Sequence, residues 1–523
     1  MAMSMRRGLV LFSVLVPTFL EILDMTIVNV SLYHIGGNLG ASIQETTWVI
    51  SGYLMSNAIT MALSGRIAEF LGKRNYLLIS IGGFTIASVL CGVSPNLPAL
   101  VLCRVVQGAF GGGLQPLSLT LIAEVFEQQE QPRTIAIWAQ SVSAAPLVGP
   151  VLGGFITDQL GWRWIFLLNL PIGVISYLVV NSVTRNSKTL SLKSRDRIDV
   201  RGAYLLIIAL ASLQMVIERG NEVSWFSSKL ITGLAIMCIF AFLLFVFHSL
   251  KNQDTILDIR ILKHPIFCLA VILLFFVSFT YSGMAIVFPI LLQSVFGFSV
   301  AQAGAATIPR AAVSLILIKT YSRLIRRVHP LTSVAVGCFL CAISADIMSR
   351  YTVHNNAASF LPPLILQGIA SGLMFVPLTL LSTQSVPKNN LGNAVGLTSL
   401  LRSVGGSLGI AVATVILNSS TQSFTARLNT TISQFDHTTR STLANLVHSR
   451  APHNEMLRDR ELSVADFHSI VHTRAMSLAY TSLFMDAASC FAALALMCLA
   501  LRVIAEYRSS RAIKEKLLHS PSL

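Results

Sequence analysis

Three ionisable residues stand where an apolar chain can least accommodate charge. Glu21 and Asp24 lie in the run from Gly8 to about Tyr33, and Arg104 lies in another apolar run that begins near Leu97. A three-residue spacing puts both carboxyls on one face of a helix. Burial disfavours the charged form of a carboxyl and a neighbouring cation favours it, so a cavity that opens alternately to two sides can load and release a proton there. An arginine at the centre of a membrane span costs about 2.5 to 3.5 kcal/mol on insertion scales, which calls for a partner or a wet cavity. At about 1.5 Å rise per residue, Asp24 comes roughly 6 to 9 Å from the outer edge of its helix and Arg104 roughly 10 Å from the same edge. The two charges are therefore expected at one depth. A purely structural ion pair, and an arginine that snorkels to the surface, are the competing readings.

The elements that must hold these residues follow from composition. The 523 residues are 54% hydrophobic and 12% charged, against roughly 25% charged in an average soluble domain. Runs of about 20 apolar residues recur along the chain, as membrane-crossing helices require. The expected spans are 8–33, 46–66, 75–94, 97–124, 134–157, 162–184, 202–219, 229–250, 266–293, 302–321, 331–349, 359–385, 391–418 and 475–503. An even number of spans puts both termini on one side. Arg6 and Arg7 precede a first run that is too long for a signal-peptide core and contains acids, so it reads as a retained helix.

The formal net charge of +15 would suit nucleic acid if the bases clustered on one soluble surface. They fall instead in short loops after even-numbered spans, including Arg66, Lys73, Arg74, Arg133, Arg185, Lys188, Lys193, Arg195, Arg197, Arg201, Lys251, Arg260, Lys263, Arg323, Arg326, Arg327 and Lys388. The opposite short loops hold Arg163, Arg219, Lys229 and Arg350. This asymmetry places both termini in the cytoplasm. Residues 419–474, polar and rich in Thr, His and Arg, read as one long outer loop, which the charge rule does not govern. The eight cysteines lie in or beside apolar segments, so no disulfide framework is implied. Cys338 and Cys341 form a CxxC without nearby ligands, and small core side chains are the better reading.

An internal duplication is visible. Gln107 and Gly108 open QGAFGGGLQPL in the fourth span, and Gln367 and Gly368 open QGIASGLMFVPL in the twelfth. Eight spans separate the two, which predicts two six-helix halves with a helix pair inserted between them, an all-α membrane fold of fourteen helices. The expected division is an N-terminal half 1–184, an inserted pair 185–265, a C-terminal half 266–503 and a basic cytoplasmic tail 504–523.

Several motifs carry a family resemblance. Gly65, Arg66, Glu69, Gly72, Lys73 and Arg74 sit between the second and third spans, where glycines allow close approach and an acid among bases can latch one conformation. The corresponding second-half loop, Tyr321 to Arg327, lacks the first glycine and the acid, so any latch there is weaker. Gly149, Pro150, Gly153 and Gly154 form a GPxxGG in the fifth span. LDMTIVNV around Asp24 and GWRWIFLLNLPIG from Gly161 complete the set, together with Asp199, Gly202, Gln293, Gly297, Gly304, Pro309, Asn393, Arg402 and Gly405. Together these resemble the major facilitator superfamily, and within it the fourteen-span drug/proton antiporters of the EmrB/QacA type.

That resemblance implies a proton-driven exporter of amphipathic compounds that needs no cofactor and no metal and sits in a bacterial inner membrane. Members can work with a periplasmic adaptor and an outer-membrane channel, which the loop 419–474 would meet. Asp24, Glu21, Arg104 and, secondarily, Asp486 are the expected proton-coupling residues. Glu218 and Asp346 lie near the outer ends of their spans, where solvation explains them. Asn29, Gln115, Phe288, Gln293 and Met374 are candidates for the substrate cavity. Export of a metabolite, fatty acid or siderophore is the nearest alternative. A membrane-embedded enzyme is the more distant one, since no HExxH, nucleophile elbow or phosphate-binding loop occurs.

Overall fold

The structure is a computed structural model that describes residues 2–184, 199–220, 225–252, 255–324, 327–351, 357–387, 390–431 and 456–518. The basic residues between 185 and 198, Arg326, Lys388 and the centre of the expected outer loop, 432–455, lie outside these.

Each expected span coincides with a helix or a broken helix. In chain order these are α1 (Ala2–Leu39), α2 (Trp48–Leu71), α3 (Lys73–Gly92), α4 (Leu97–Gly111 and Leu114–Val125), α5 (Gln131–Leu160), α6 (Arg163–Leu167 and Asn169–Thr184) and α7 (Val200–Arg219). They continue as α8 (Lys229–Lys251), α9 (Pro265–Ser294), α10 (Val300–Ala306, Ile308–Ile316 and Ile318–Leu324), α11 (Pro330–Ser349), α12 (Leu361–Gln384), α13 (Leu391–Thr431) and α14 (Met456–Leu518). By length and hydropathy, 11 helices among the described residues can cross a membrane. The exceptions are α2, α5 and α10, which carry polar and small residues or are broken, and which pack between other helices.

Helix boundaries have local causes. Asn96 accepts the backbone N–H of Ala99 at 2.9 Å and caps α4, with Pro98 in its first turn. Asp199 caps α7 through Gly202 N at 2.9 Å, and Ser299 with Gln302 forms a capping box on α10. Gly72 has φ +81° between α2 and α3, which glycine adopts without strain.

The expectation of a long outer loop is corrected. α13 runs 41 residues, roughly 60 Å at about 1.5 Å per residue, and so outruns an apolar core about 30 Å thick. α14 already starts at Met456. Both ends of the expected loop are helical because backbone hydrogen bonds within a helix are local and need no apolar periodicity.

α1 to α6 form one packed set of helices and α9 to α14 a second. α2 packs on α4 and on α13, α5 meets α10 and α12, and the second segment of α4 meets α13. α7 packs against α2 and α13, and α8 packs on α7, outside these contacts. The end of the bundle carrying Arg66, Lys73 and Arg74 is termed the basic face. There the two sets of helices touch closely: a Cβ at Gly65 would lie 2.6 Å from the Gly392 carbonyl carbon and oxygen.

Candidate functional site

Asp24 is enclosed by three donors, two from α4 and one from α6. Its Oδ2 accepts from Arg104 at 2.5 Å, and its Oδ1 accepts from Gln107 Nε2 at 3.1 Å and Asn169 Nδ2 at 2.6 Å. Arg104 also donates to the Val49 carbonyl at 3.2 Å and to Gln107 Oε1 at 2.8 Å. Its guanidinium lies 4.1 Å from the Tyr53 ring centroid, and its side chain is 0% exposed. The depth match read from the sequence is a direct contact, and the arginine does not snorkel.

Glu21 occupies a second nest one turn away, and its partners are neutral. Asn57 Nδ2 donates to Oε1 and Gln115 Nε2 to Oε2, each at 2.9 Å. Gln115 Oε1 in turn accepts from Arg402 of α13 at 2.6 Å. The Arg402 guanidinium lies 4.8 Å from the ring of Trp138 in α5. A polar chain thus runs Glu21, Gln115, Arg402 from the first set of helices to the second. Tyr53 walls both nests, with its ring under Arg104 and its hydroxyl 3.4 Å from the Glu21 carbonyl oxygen.

The small residues of the motifs set these distances. A Cβ at Gly108 would meet the Tyr53 carbonyl oxygen at 2.3 Å, so α4 can approach α2 only there without a side chain. One at Gly149 would meet Thr26 Oγ1 at 2.2 Å and one at Gly153 would meet the Ile27 carbonyl oxygen at 2.8 Å, which brings α5 against α1 beside Asp24. Gly154 faces open space, and Pro150 lies within α5.

Other predicted residues are placed elsewhere. In the basic loop Arg66 donates to Glu69 of its own helix at 2.9 Å, Lys73 pairs with Glu124, and Arg74 reaches Asn181 at 2.6 Å and Thr184 at 3.2 Å. The close approach between the two sets at this loop is the backbone of Gly65 against Gly392. Asp486 lies on an exposed face of α14, apart from Glu21, Asp24 and Arg104. Phe288 and Met374 are corrected from cavity wall to core: Phe288 stacks edge-on with Phe360 at 5.7 Å, and Met374 Sδ lies 3.7 Å from Cys338 Sγ. Both sit in the apolar cluster of α9, α11, α12 and α14. Gln293 donates to the Pro289 carbonyl at 3.1 Å, and Asn29 is exposed. A cleft of about 330 Å³ lined by Gln128, Pro132, Pro330, Pro377 and Gln384 opens between the sets of helices, and contains neither acid.

Sequence reasoning missed Asn57, Trp138 and Arg402 as partners of the site, and Glu124 of α4 as the partner of Lys73. A charge inside an apolar run marks Arg402. Nothing in the local sequence distinguishes Asn57.

Residues 14–410 match the family model described as Major Facilitator Superfamily. The chain belongs to that superfamily. Among relatives, it is 33% identical over 422 residues to the "Multidrug export protein EmrB" of Escherichia coli (strain K12), covering 80% of this chain and 82% of that one. It is 30% identical over 398 residues to the "Fatty acid resistance protein FarB" of Neisseria gonorrhoeae, covering 76% and 78%. The crystal structure of the human organic anion transporter MFSD10 shares the fold, with a TM-score of 0.55 and 14% identity over 92% of this chain and 99% of that one. As an EmrB-type member of the superfamily the protein is a multi-pass membrane transporter and not an enzyme.

Proposed function

We propose that this protein is a proton-coupled antiporter that exports amphipathic compounds across a bacterial cytoplasmic membrane by alternating access. The basic face is cytoplasmic, and both termini lie on it. The observation that carries the reading is the contrast between the two buried acids. Asp24 faces three N–H donors, one of them a guanidinium, and loses favourable contacts if it takes up a proton. Glu21 faces two carboxamides, each of which presents an N–H or a C=O. Its nest can therefore hold a charged carboxylate or a neutral carboxylic acid. We assign the exchanged proton to Glu21 and a positioning role to the Asp24–Arg104 pair, which keeps α1 and α4 in register beside it.

Coupling follows from the polar chain. A charged Glu21 orients Gln115 with its oxygen toward Arg402, which draws α13 toward α4. A protonated Glu21 donates instead of accepting, turns the amide and removes the negative charge facing Arg402. The contact between the two sets of helices is then weaker at mid-membrane, and the path opens the other way. The names of the relatives, a multidrug export protein and a fatty acid resistance protein, support amphipathic cargo.

The test is transport into everted membrane vesicles under an imposed pH gradient. Glu21→Gln abolishes gradient-driven accumulation and leaves gradient-independent exchange of substrate intact. Accumulation by Glu21→Gln equal to that of the unaltered protein would refute the assignment. The helical continuation of α13 past residue 418 also favours a second reading, in which a periplasmic adaptor and outer-membrane channel prolong the path. Co-purification lost on removal of residues 419–474 is the expected result, and retention of the partner rejects it.

A further inference from the structure

The two halves of the repeat treat charge differently. The offset that carries Gln107 to Gln367 also carries Glu21 to Tyr281, Asp24 to Met284, Arg104 to Leu364 and Gln115 to Phe375. The second half thus keeps the glutamine and replaces both acids and the arginine. A cation nevertheless returns to the same place from another helix. Gly108 packs on the carbonyl of Tyr53, and Gly368 packs on the carbonyl of Arg310. Arg310 of α10 therefore stands where the first half has Tyr53, the residue on which Arg104 rests.

Its surroundings are unlike those of Arg104. Arg310 donates to Gln367 Oε1 at 3.4 Å, a long contact, and its guanidinium lies 6.0 Å from the Tyr281 ring. No carboxylate among the described residues pairs with it. It is buried, with 8% exposure where Arg104 has 0%. Tyr281 stacks edge-on with Phe375 at 5.4 Å, so an aromatic pair stands beside the guanidinium. A cation inside a span costs about 2.5 to 3.5 kcal/mol on insertion scales and calls for a partner, and this one is left with donors to spare.

We propose that Arg310 is the anion-recognising group of the substrate path, taking the head of an amphipathic monoanion, a carboxylate or sulfonate, while Tyr281 and Phe375 receive its apolar body. The planar fork of the guanidinium matches such a head with two parallel hydrogen bonds. The proposal rests on the reading that the chain moves amphipathic compounds, and it names their charge.

The test reads binding without a gradient, using the full-length protein in phosphatidylcholine nanodiscs and radiolabelled 2-naphthoate, neutral 2-naphthamide and tetraphenylphosphonium. The unaltered protein is expected to prefer naphthoate over naphthamide by about tenfold or more. Arg310→Gln removes that preference and Arg310→Lys keeps part of it, since lysine retains the charge without the fork. Both variants elute from size-exclusion chromatography as the unaltered protein does and keep its helical circular-dichroism spectrum, which shows that they are folded. Equal binding of naphthoate and naphthamide by the unaltered protein overturns the proposal, as does a preference that survives Arg310→Gln. So does a parallel loss of all three ligands in both variants. Proton-driven transport of tetraphenylphosphonium without any naphthoate preference would sink this inference alone. A naphthoate preference without proton-driven transport would sink the proposed function alone.

Discussion

The Asp24–Arg104 pair can be separated from the Glu21 nest by its energetics. In Asp24→Asn one oxygen still accepts from Gln107 and Asn169, but the carboxamide nitrogen must replace Oδ2, which received Arg104 at 2.5 Å. The guanidinium stays fully buried over Tyr53 with no charge beside it. Breaking one side of a buried pair costs about 3 to 5 kcal/mol, most of it from the stranded charge. Arg104→Leu strands the carboxylate instead, which keeps two amide donors, so its loss lies at the lower end of that range. The double variant Asp24→Leu/Arg104→Leu strands no charge, though it leaves the Gln107 and Asn169 carboxamides without their acceptor, and replacement of a buried ion pair by apolar side chains is often neutral. It is expected to recover at least about 2 kcal/mol relative to Asp24→Asn. Glu21→Gln, whose partners are neutral amides, costs about 1 kcal/mol. The assay is unfolding of purified protein in detergent, by heat and by denaturant, for all four variants. A double variant no more stable than the worse single variant, or Asp24→Asn within about 1 kcal/mol of the unaltered protein, would refute the reasoning.

Three further outcomes follow from particular contacts. Arg402→Leu removes the link from Gln115 to α13 and is expected to slow gradient-driven transport about tenfold or more while leaving substrate binding within about twofold; equal losses in both would mean a cavity role instead. Gly65→Val puts a Cβ 2.6 Å from the Gly392 carbonyl, so the basic face parts and probes attached at Gln129 and Gln384 move apart; an unchanged distance rejects the contact. Gly108→Ala should gain about 1 kcal/mol from helix propensity but places a methyl 2.3 Å from the Tyr53 carbonyl oxygen. Overpacking of about 1 to 3 kcal/mol is expected to win, and a raised melting temperature would show that it does not.

Much of this protein was legible in the chain because its information is local. Apolar runs bounded by basic loops announce membrane helices, since the bilayer excludes unpaired backbone and charge. The same exclusion made Glu21, Asp24 and Arg104 conspicuous, and helix rise alone brought Asp24 and Arg104 to one depth. Repeats such as QG at Gln107 and Gln367 were equally plain.

What the tertiary structure decided is which charge meets which neighbour. Helix rise gives depth but not rotation about the axis, so it could not tell that Asp24 faces Arg104 while Glu21, on the same helix face, faces Asn57 and Gln115. Nor could it show Asp486 turned away from the bundle, or Phe288 and Met374 sunk in a core. The bond from Gln115 to Arg402 joins residues far apart in the chain, and no local pattern encodes such a meeting. Arg310 is the sharpest case. Its residue type was visible, but its lack of a carboxylate partner among the described residues is a property of every helix packed around it. Charge within a membrane is read from sequence, and its neutralisation is read from packing.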